Sequence, residues 1–288
     1  MGKLTAILKL TRIEHSIMLV IAVIAGELIA SHGVLPATVQ LMASFITPIF
    51  ISAAAFAIND YYDIKADKLN NKKRPLVDGS LKPADALWIT AISLIIGVGA
   101  SLFINILAFV IALIFAALAV LYSVKLKEVL LLGNAYIAFS MAIPFIFGNY
   151  VVTHVPNYAV ILVAIMVFLS GLAREIHGTV RDFKGDVKAR NSLTLPRVAG
   201  RQAASVIAML LYIAAIVISA YLFLYLMPFQ GNYAYLLLVG INDLMLAYVS
   251  IGFVSGRGQK FYDKSRNVSL AAIGMALIAI LVASIAYL

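Results

Sequence analysis

Two short acidic motifs stand out in a chain that is otherwise very apolar. The first, NDYYDIKAD, supplies Asn59, Asp60, Asp63 and Asp67. The second, RDFKGD, supplies Asp182 and Asp186, one helical turn apart. On an α-helix the three carboxylates of the first motif fall within roughly a 60° arc of one face. Like charges at this spacing repel one another unless a cation lies between them, so the pattern indicates a metal site.

The residue types favour Mg²⁺ bound together with a phosphorylated substrate. The chain has no cysteine, so a metal must rest on oxygen or imidazole ligands. Mg²⁺ typically takes one or two carboxylates plus phosphate oxygens. Basic residues follow the first motif and surround the second, where Glu175 also lies two turns before Asp182. These candidate substrate-binding residues are Lys72, Lys73, Arg74, Arg174, Glu175, Arg181 and Lys184.

Carboxylates, a divalent metal and surrounding cations together describe a site for a diphosphate. The plainer interpretation is that helix ends reaching water simply carry charge. That interpretation suits a single aspartate, but stacked like charges favour the metal site.

The composition predicts the elements that must position these motifs. Of 288 residues, 63% are hydrophobic and 12% are charged, which is typical of an all-α polytopic membrane protein. Nine stretches are long enough to cross about 30 Å of hydrocarbon at about 1.5 Å per residue. They lie near 13–31, 38–58, 85–104, 106–124, 129–149, 158–177, 203–226, 233–252 and 268–287. Since no Ser/Gly/Pro-rich linker divides the chain, we predict a single domain over residues 1–288.

The cations predict the orientation of the bundle. All 22 Lys and Arg residues lie at the N-terminus or around the connections after the second, fourth, sixth and eighth stretches. By the positive-inside rule, the N-terminus and both motifs are expected on the cytoplasmic side and the C-terminus outside. The formal charge of +9 is therefore a topology signal, and nucleic-acid binding is not expected.

The motifs carry a resemblance to a known family. Four segments resemble the corresponding segments of the UbiA family of intramembrane prenyltransferases: NDYYDIKAD, RDFKGD, KKRPLVDGSL and TLPRVAG. The stretch LTRIEHSIM resembles the family's N-terminal segment. The resemblance implies nine helices around a central cavity with a cytoplasmic polar cap, a side opening for membrane lipids, and an isoprenyl diphosphate as donor. It also implies two Mg²⁺ ions that bridge the diphosphate. One ion would be held by Asn59, Asp60, Asp63 and Asp67, and the other by Asp182 and Asp186. The residues implied to contact the diphosphate directly are Arg74, Arg181 and Lys184.

Two features of the sequence leave alternatives open. Many family members carry a Tyr-x-x-x-Lys motif after the fourth helix, whereas here Tyr122 is followed by Lys125 and Lys127, and either lysine could bind diphosphate or serve as a topology anchor. Asp243, in the middle of the eighth stretch, is either a cavity-lining acceptor contact or a polar contact between helices. Glu27 is expected near the outer membrane interface.

The acceptor is predicted from two stretches, TRIEHSIMLVIAVIAGELIA and DYYDIKADKLNNKKRPLVDGSLKP. They look most like archaeal members of the family that make digeranylgeranylglyceryl phosphate. The implied reaction moves a geranylgeranyl group to the free hydroxyl of geranylgeranylglyceryl phosphate. An enzyme that alkylates 4-hydroxybenzoate or a naphthoate would share every motif, and a secondary transporter is a more remote alternative. The sequence leaves the oligomeric state open.

Overall fold

The chain is described by a computed structural model that covers residues 2–189 and 194–286, with side chains for 2–183 and 194–286. It consists of twelve helices in the described part, together with one 3₁₀ turn at Leu126–Glu128. The helices are α1 (Lys3–Thr11), α2 (Ile13–Ser31), α3 (Thr38–Tyr62), α4 (Ile64–Leu69), α5 (Pro83–Ser101), α6 (Ile106–Val124), α7 (Leu132–Val152), α8 (Tyr158–Ala189), α9 (Leu195–Val198), α10 (Arg201–Tyr225), α11 (Tyr233–Val254) and α12 (Gln259–Ile285).

The predicted membrane spans are confirmed within the described residues. Nine of the helices, all except the short α1, α4 and α9, are long and apolar enough to cross a membrane. The largest extensions beyond the predicted stretches are in α8, which continues to Ala189, and in α12, which begins at Gln259. The boundary between the third and fourth spans is fixed by Asn105, whose side chain accepts a hydrogen bond from the Ala108 amide at 2.9 Å and so caps α6.

Hydrogen bonds between elements show which helix ends lie together. Arg12, at the start of α2, reaches Asp60 at the end of α3. Gln259, at the start of α12, donates to the Arg181 carbonyl of α8 at 3.1 Å. We call this side of the bundle, which holds the ends of α3 and α8, the motif end. At the opposite end, Asn105 donates to the Tyr150 carbonyl at 2.7 Å.

Small residues allow the central helices to approach closely. A Cβ added at Gly148 of α7 would overlap the Val23 carbonyl oxygen of α2, and a Cβ at Gly26 of α2 would overlap the Phe145 carbonyl oxygen of α7. Glycines at such crossings bring backbones into direct contact, as is common between membrane helices. The outer faces of the bundle carry exposed side chains such as Ile95 and Leu244, each 73% exposed, as expected for surfaces that face lipid.

The structure corrects the expectation that Glu27 lies at the outer membrane interface. It lies on α2 beside the crossing with α7 and is completely buried. Ser44 of α3 is its neighbouring hydroxyl and donates to the Leu41 carbonyl. Glu27 does lie near the end of α2, but the sequence does not show which face of this helix points inward, and Glu27 is on the inward face. The division of the chain into one domain stays a prediction.

Candidate active site

The first acidic motif lies on a helical bend rather than on one continuous helix. The helix α3 ends at Tyr62 and α4 begins at Ile64, with Asp63 between them at φ −91° and ψ 0°. The Asp63 amide donates to the Asn59 carbonyl and the Asp67 amide to the Asp63 carbonyl, so helical hydrogen bonding continues across the bend. The three aspartates therefore stay on one side, although the sequence predicted no interruption.

Every aspartate of this motif lies beside a cation. Asp60 accepts a hydrogen bond from Arg12 at 2.6 Å, and Asp63 accepts one from Lys127 at 2.8 Å. The Lys72 Nζ is 2.8 Å from an Asp67 oxygen. Arg74 is 3.8 Å from both Asp60 and Asp67. Burial lowers the pKa of the Arg12 guanidinium, and the neighbouring Asp60 carboxylate opposes that shift.

The motif fits a hard divalent cation. The Oδ1 of Asn59 and the Oδ2 of Asp60 are buried and accept no hydrogen bond, so one oxygen acceptor on each of these consecutive residues keeps its lone pairs free. Oxygen donors of this kind are the ones Mg²⁺ takes. Among the described side chains no three carboxylates or imidazoles already converge on one point. Individual carboxylates pair with cations instead, as in the Arg12–Asp60 and Lys127–Asp63 contacts.

The second motif is described in part. Arg181 donates two hydrogen bonds to Asp182, from Nε and from Nη2, each at 2.7 Å. Arg174 donates to Glu175 at 2.8 Å. The side chains of Asp186 and Lys184 lie outside the described residues, although the backbone of α8 passes through both positions.

The structure distinguishes the two lysines that follow Tyr122. Lys125 is exposed, whereas the 3₁₀ turn brings Lys127 back onto Asp63. Lys72 and Lys73 are both exposed, but Lys73, unlike Lys72 and Arg74, has no ion pair among the described side chains. Tyr122 itself stacks on Tyr136 with ring centroids 4.4 Å apart.

A cavity of about 490 Å³ runs from the motif end into the bundle. Arg12 and Asn59 line one part of it, and Tyr122, Arg174 and Asp243 line others. Much of the remaining wall is apolar and aromatic, with lining residues that include Phe56, Phe115, Phe145, Leu246, Leu277 and Ile280. The arrangement places charged groups at the motif end of a space suited to a long hydrocarbon chain.

Asp243 satisfies both interpretations left open by the sequence. Its carboxylate accepts hydrogen bonds from Ser219 at 2.8 Å and from Asn242 at 2.9 Å, which ties α11 to α10. It also lines the cavity. Because a carboxylate inside a membrane bundle is costly, these two donors are what hold it there.

The comparison with known families is decisive. The sequence pattern of the UbiA prenyltransferase family matches residues 19–270. The chain belongs to the UbiA prenyltransferase family. It is 35% identical over 276 residues to digeranylgeranylglyceryl phosphate synthase of Archaeoglobus fulgidus, covering 96% of this chain and 94% of the relative.

Solved structures of UbiA proteins share the fold. A structure of digeranylgeranylglyceryl phosphate synthase superposes with a TM-score of 0.81 at 30% identity, covering 99% of each chain. A UbiA homologue from Archaeoglobus fulgidus bound to GPP and Mg²⁺ has a TM-score of 0.66 at 18% identity, covering 96% of this chain and 99% of that one. The predicted family and the all-α multi-pass architecture are thereby confirmed.

Sequence reasoning missed two residues at this UbiA site. Arg12 was counted only as a topology cation, although it makes the shortest ion pair with the first motif. The likeness of LTRIEHSIM to the family's N-terminal segment was the signal that could have identified it. Tyr212, on the α10 wall of the cavity, gave no signal because a tyrosine within a hydrophobic helix is unremarkable in sequence.

Proposed function

We propose that this protein transfers a geranylgeranyl group from geranylgeranyl diphosphate to geranylgeranylglyceryl phosphate. The reaction forms the second ether bond of archaeal membrane lipid and releases diphosphate. The observation that carries the proposal is the 35% identity, along 96% of the chain, to a digeranylgeranylglyceryl phosphate synthase. The site supports it, because cations and carboxylates at the motif end adjoin a largely apolar cavity.

The diphosphate binds at the motif end. Four basic side chains surround the carboxylates of the first motif: Arg12, Lys72, Arg74 and Lys127. When the diphosphate binds, the nitrogen atoms of these side chains can donate hydrogen bonds to its phosphate oxygens. Asn59, Asp60, Asp63 and Asp67 would hold one Mg²⁺, and Asp182 and Asp186 a second. Bound Mg²⁺ acts as a Lewis acid that stabilises the charge on the leaving diphosphate.

The bond changes balance without a further reactant. The bond between C1 of the geranylgeranyl group and the diphosphate oxygen breaks, and its electron pair leaves with the diphosphate. The acceptor's hydroxyl oxygen forms the new bond to C1, and its proton passes to the released diphosphate or to solvent. Phe56, Phe115 and Phe145 on the cavity wall exclude water, which would otherwise quench the cationic C1. Their ring faces also stabilise positive charge.

The positive-inside distribution of cations supports a motif end at the cytoplasmic face, where a soluble diphosphate can reach it. The prenyl chain then extends toward the middle of the bilayer.

A product assay tests the proposal. The purified protein is incubated with Mg²⁺, labelled geranylgeranyl diphosphate and, in separate reactions, geranylgeranylglyceryl phosphate or 4-hydroxybenzoate. We expect a diether phosphate from the first acceptor. Prenylated benzoate alone would overturn the proposed acceptor and would assign the protein to quinone synthesis, while product from neither acceptor would contradict transferase activity toward both classes.

A further inference from the structure

The cavity wall formed by α8 and α10 holds two polar side chains that the proposed steps do not use. Arg174 and Tyr212 both line the cavity. Tyr212 is 1% exposed and its hydroxyl has no hydrogen-bond partner. Buried hydroxyls are almost always paired, because an unpaired one loses its bonds to water without replacement. A buried donor that faces a substrate cavity without a partner indicates a ligand group at this place.

Arg174 provides further hydrogen-bond donors, and a positive charge, for a ligand at this place. One of its terminal nitrogens, Nη1, donates to Glu175 at 2.8 Å, which fixes the plane of the guanidinium. Its Nε is buried and has no partner. The edge formed by Nε and Nη2 is the planar fork that binds two oxygens of a phosphate at once. Tyr212 packs in one hydrophobic cluster with Ala173 and Ile176, which flank Arg174 on α8, and both polar side chains line the same cavity.

The depth of this cluster suits the acceptor rather than the donor. Arg174 precedes Asp182 by eight residues of α8. Eight residues of α-helix correspond to about 12 Å. The diphosphate of the donor is held near Asp182 and the first motif, so a second phosphate at Arg174 would lie deeper than the diphosphate. In geranylgeranylglyceryl phosphate the phosphate is on the carbon next to the one that carries the free hydroxyl. A phosphate at Arg174 therefore leaves the hydroxyl within reach of the donor C1, which enters the cavity from the motif end.

We propose that Arg174 and Tyr212 bind the phosphate of the acceptor, with Glu175 as the positioning residue that orients the guanidinium. This inference rests on the proposed function, since it assigns one group of the acceptor named there. The hydroxyl of Tyr212 donates to one phosphate oxygen and the free edge of Arg174 to two others. The site separates the acceptor from the diphosphate cations around Asp60 and Asp63.

The test compares two acceptors that differ only in the phosphate. Steady-state transfer is measured with geranylgeranylglyceryl phosphate and with geranylgeranylglycerol, for the wild type, Arg174→Gln and Tyr212→Phe. We expect Arg174→Gln to raise KM for the phosphorylated acceptor by about 10- to 100-fold and Tyr212→Phe by about 3- to 10-fold. The KM for geranylgeranyl diphosphate and the rate with geranylgeranylglycerol stay within about threefold of the wild type.

Matched variants separate phosphate binding from folding. Arg174→Gln leaves Glu175 without its cation, so the double variant Arg174→Gln/Glu175→Gln is measured beside it. Tyr136→Phe is the control for loss of a tyrosine hydroxyl at the cavity, because Tyr136 lines the α7 wall. Tyr212→Phe, which keeps the ring, decides the question if the Arg174 variants do not fold.

The outcomes are distinct. Equal losses with both acceptors, or a raised KM for the donor, would overturn the phosphate site while the proposed function stands. A wild type that makes diether phosphate, together with variants that prefer the phosphorylated acceptor as strongly as the wild type does, would also overturn it. A wild type that makes no diether phosphate overturns the proposed function and this inference with it.

Discussion

At the scale of single residues, Arg12 is held unusually firmly for a long cationic side chain. Its Nη2 lies 2.6 Å from Asp60, and its guanidinium lies 4.4 Å from the centroid of the Phe56 ring. Its backbone has φ 47°, a left-handed conformation that costs a non-glycine residue about 1 kcal/mol or more. This turn between α1 and α2 points the side chain at the first motif. We infer that the strain is tolerated because the turn delivers a charge to the diphosphate.

We therefore expect Arg12→Gln to lower kcat/KM by about 100-fold, since a charge-assisted contact of about 3 kcal/mol is lost. Diphosphate release with saturating acceptor measures the effect. Lys9→Gln is the matched control, because Lys9 is exposed on α1 and makes no ion pair among the described residues. Full activity in the Arg12 variant, or an equal loss in the Lys9 variant, would contradict a direct role of Arg12.

The two lysines after Tyr122 provide a second prediction. Lys127 is 2.8 Å from Asp63 and Lys125 is exposed, although they are two positions apart. We expect Lys127→Ala to raise the KM for geranylgeranyl diphosphate by about tenfold or more, and Lys125→Ala to change it less than about twofold. Steady-state kinetics with varied donor tests the pair. The opposite ranking would place the diphosphate contact at Lys125, which is as far from the family's Tyr-x-x-x-Lys spacing as Lys127 is.

At the scale of elements, the membrane spans could be predicted because hydrophobic length is a property of local sequence. The bend at Asp63 could not be predicted, since NDYYDIKAD contains neither glycine nor proline to mark an interruption of the helix. The choice of Lys127 likewise depends on a three-residue 3₁₀ turn at Leu126–Glu128. The burial of Tyr212 and Glu27 could not be predicted either, because the sequence does not show which face of a helix points inward. The motif residues could be proposed as site residues from type and spacing, whereas their cation partners depend on tertiary packing.

The crossing of α2 and α7 yields a prediction for an element. Because a Cβ at Gly148 would overlap the Val23 carbonyl oxygen, Gly148→Ala forces the two backbones apart. We expect a loss of about 2 kcal/mol or more in the free energy of unfolding. Gly240→Ala is the control, since a Cβ there meets nothing within 4 Å. It is expected to be neutral or slightly stabilising, because alanine favours helix by up to about 1 kcal/mol.

Thermal denaturation in detergent, followed by circular dichroism, ranks the two variants. The fraction that stays monodisperse after heating gives a second reading that does not require reversibility. Equal midpoints for Gly148→Ala and Gly240→Ala would mean that α2 and α7 do not approach as closely as described.

At the scale of the whole molecule, the orientation of the helix bundle in the membrane decides which side of the membrane the motif end faces. The acidic motifs, Lys72, Arg74 and Lys127 all lie at the motif end. The cations of the sequence cluster on the same side of the predicted spans, and the alternate connections have none. The positive-inside rule therefore predicts that the motif end faces the cytoplasm. A diphosphate cannot cross the bilayer unaided, so donor access depends on this orientation being correct.

The chain permits a direct measurement because it has no cysteine of its own. Lys73→Cys places a thiol at an exposed position beside the first motif, and His154→Cys places one at an exposed position between α7 and α8, at the opposite end. With a membrane-impermeant maleimide on intact cells, we expect His154→Cys to be labelled at once and Lys73→Cys only after permeabilisation. Both variants should retain transferase activity, which shows that the labelled molecules are folded. The reverse pattern would put the diphosphate site outside the cell, where the donor would have to be supplied by a separate export step. Labelling of both thiols on intact cells would mean that the chain inserts in two orientations, and the cation distribution alone would then be too weak to set its topology.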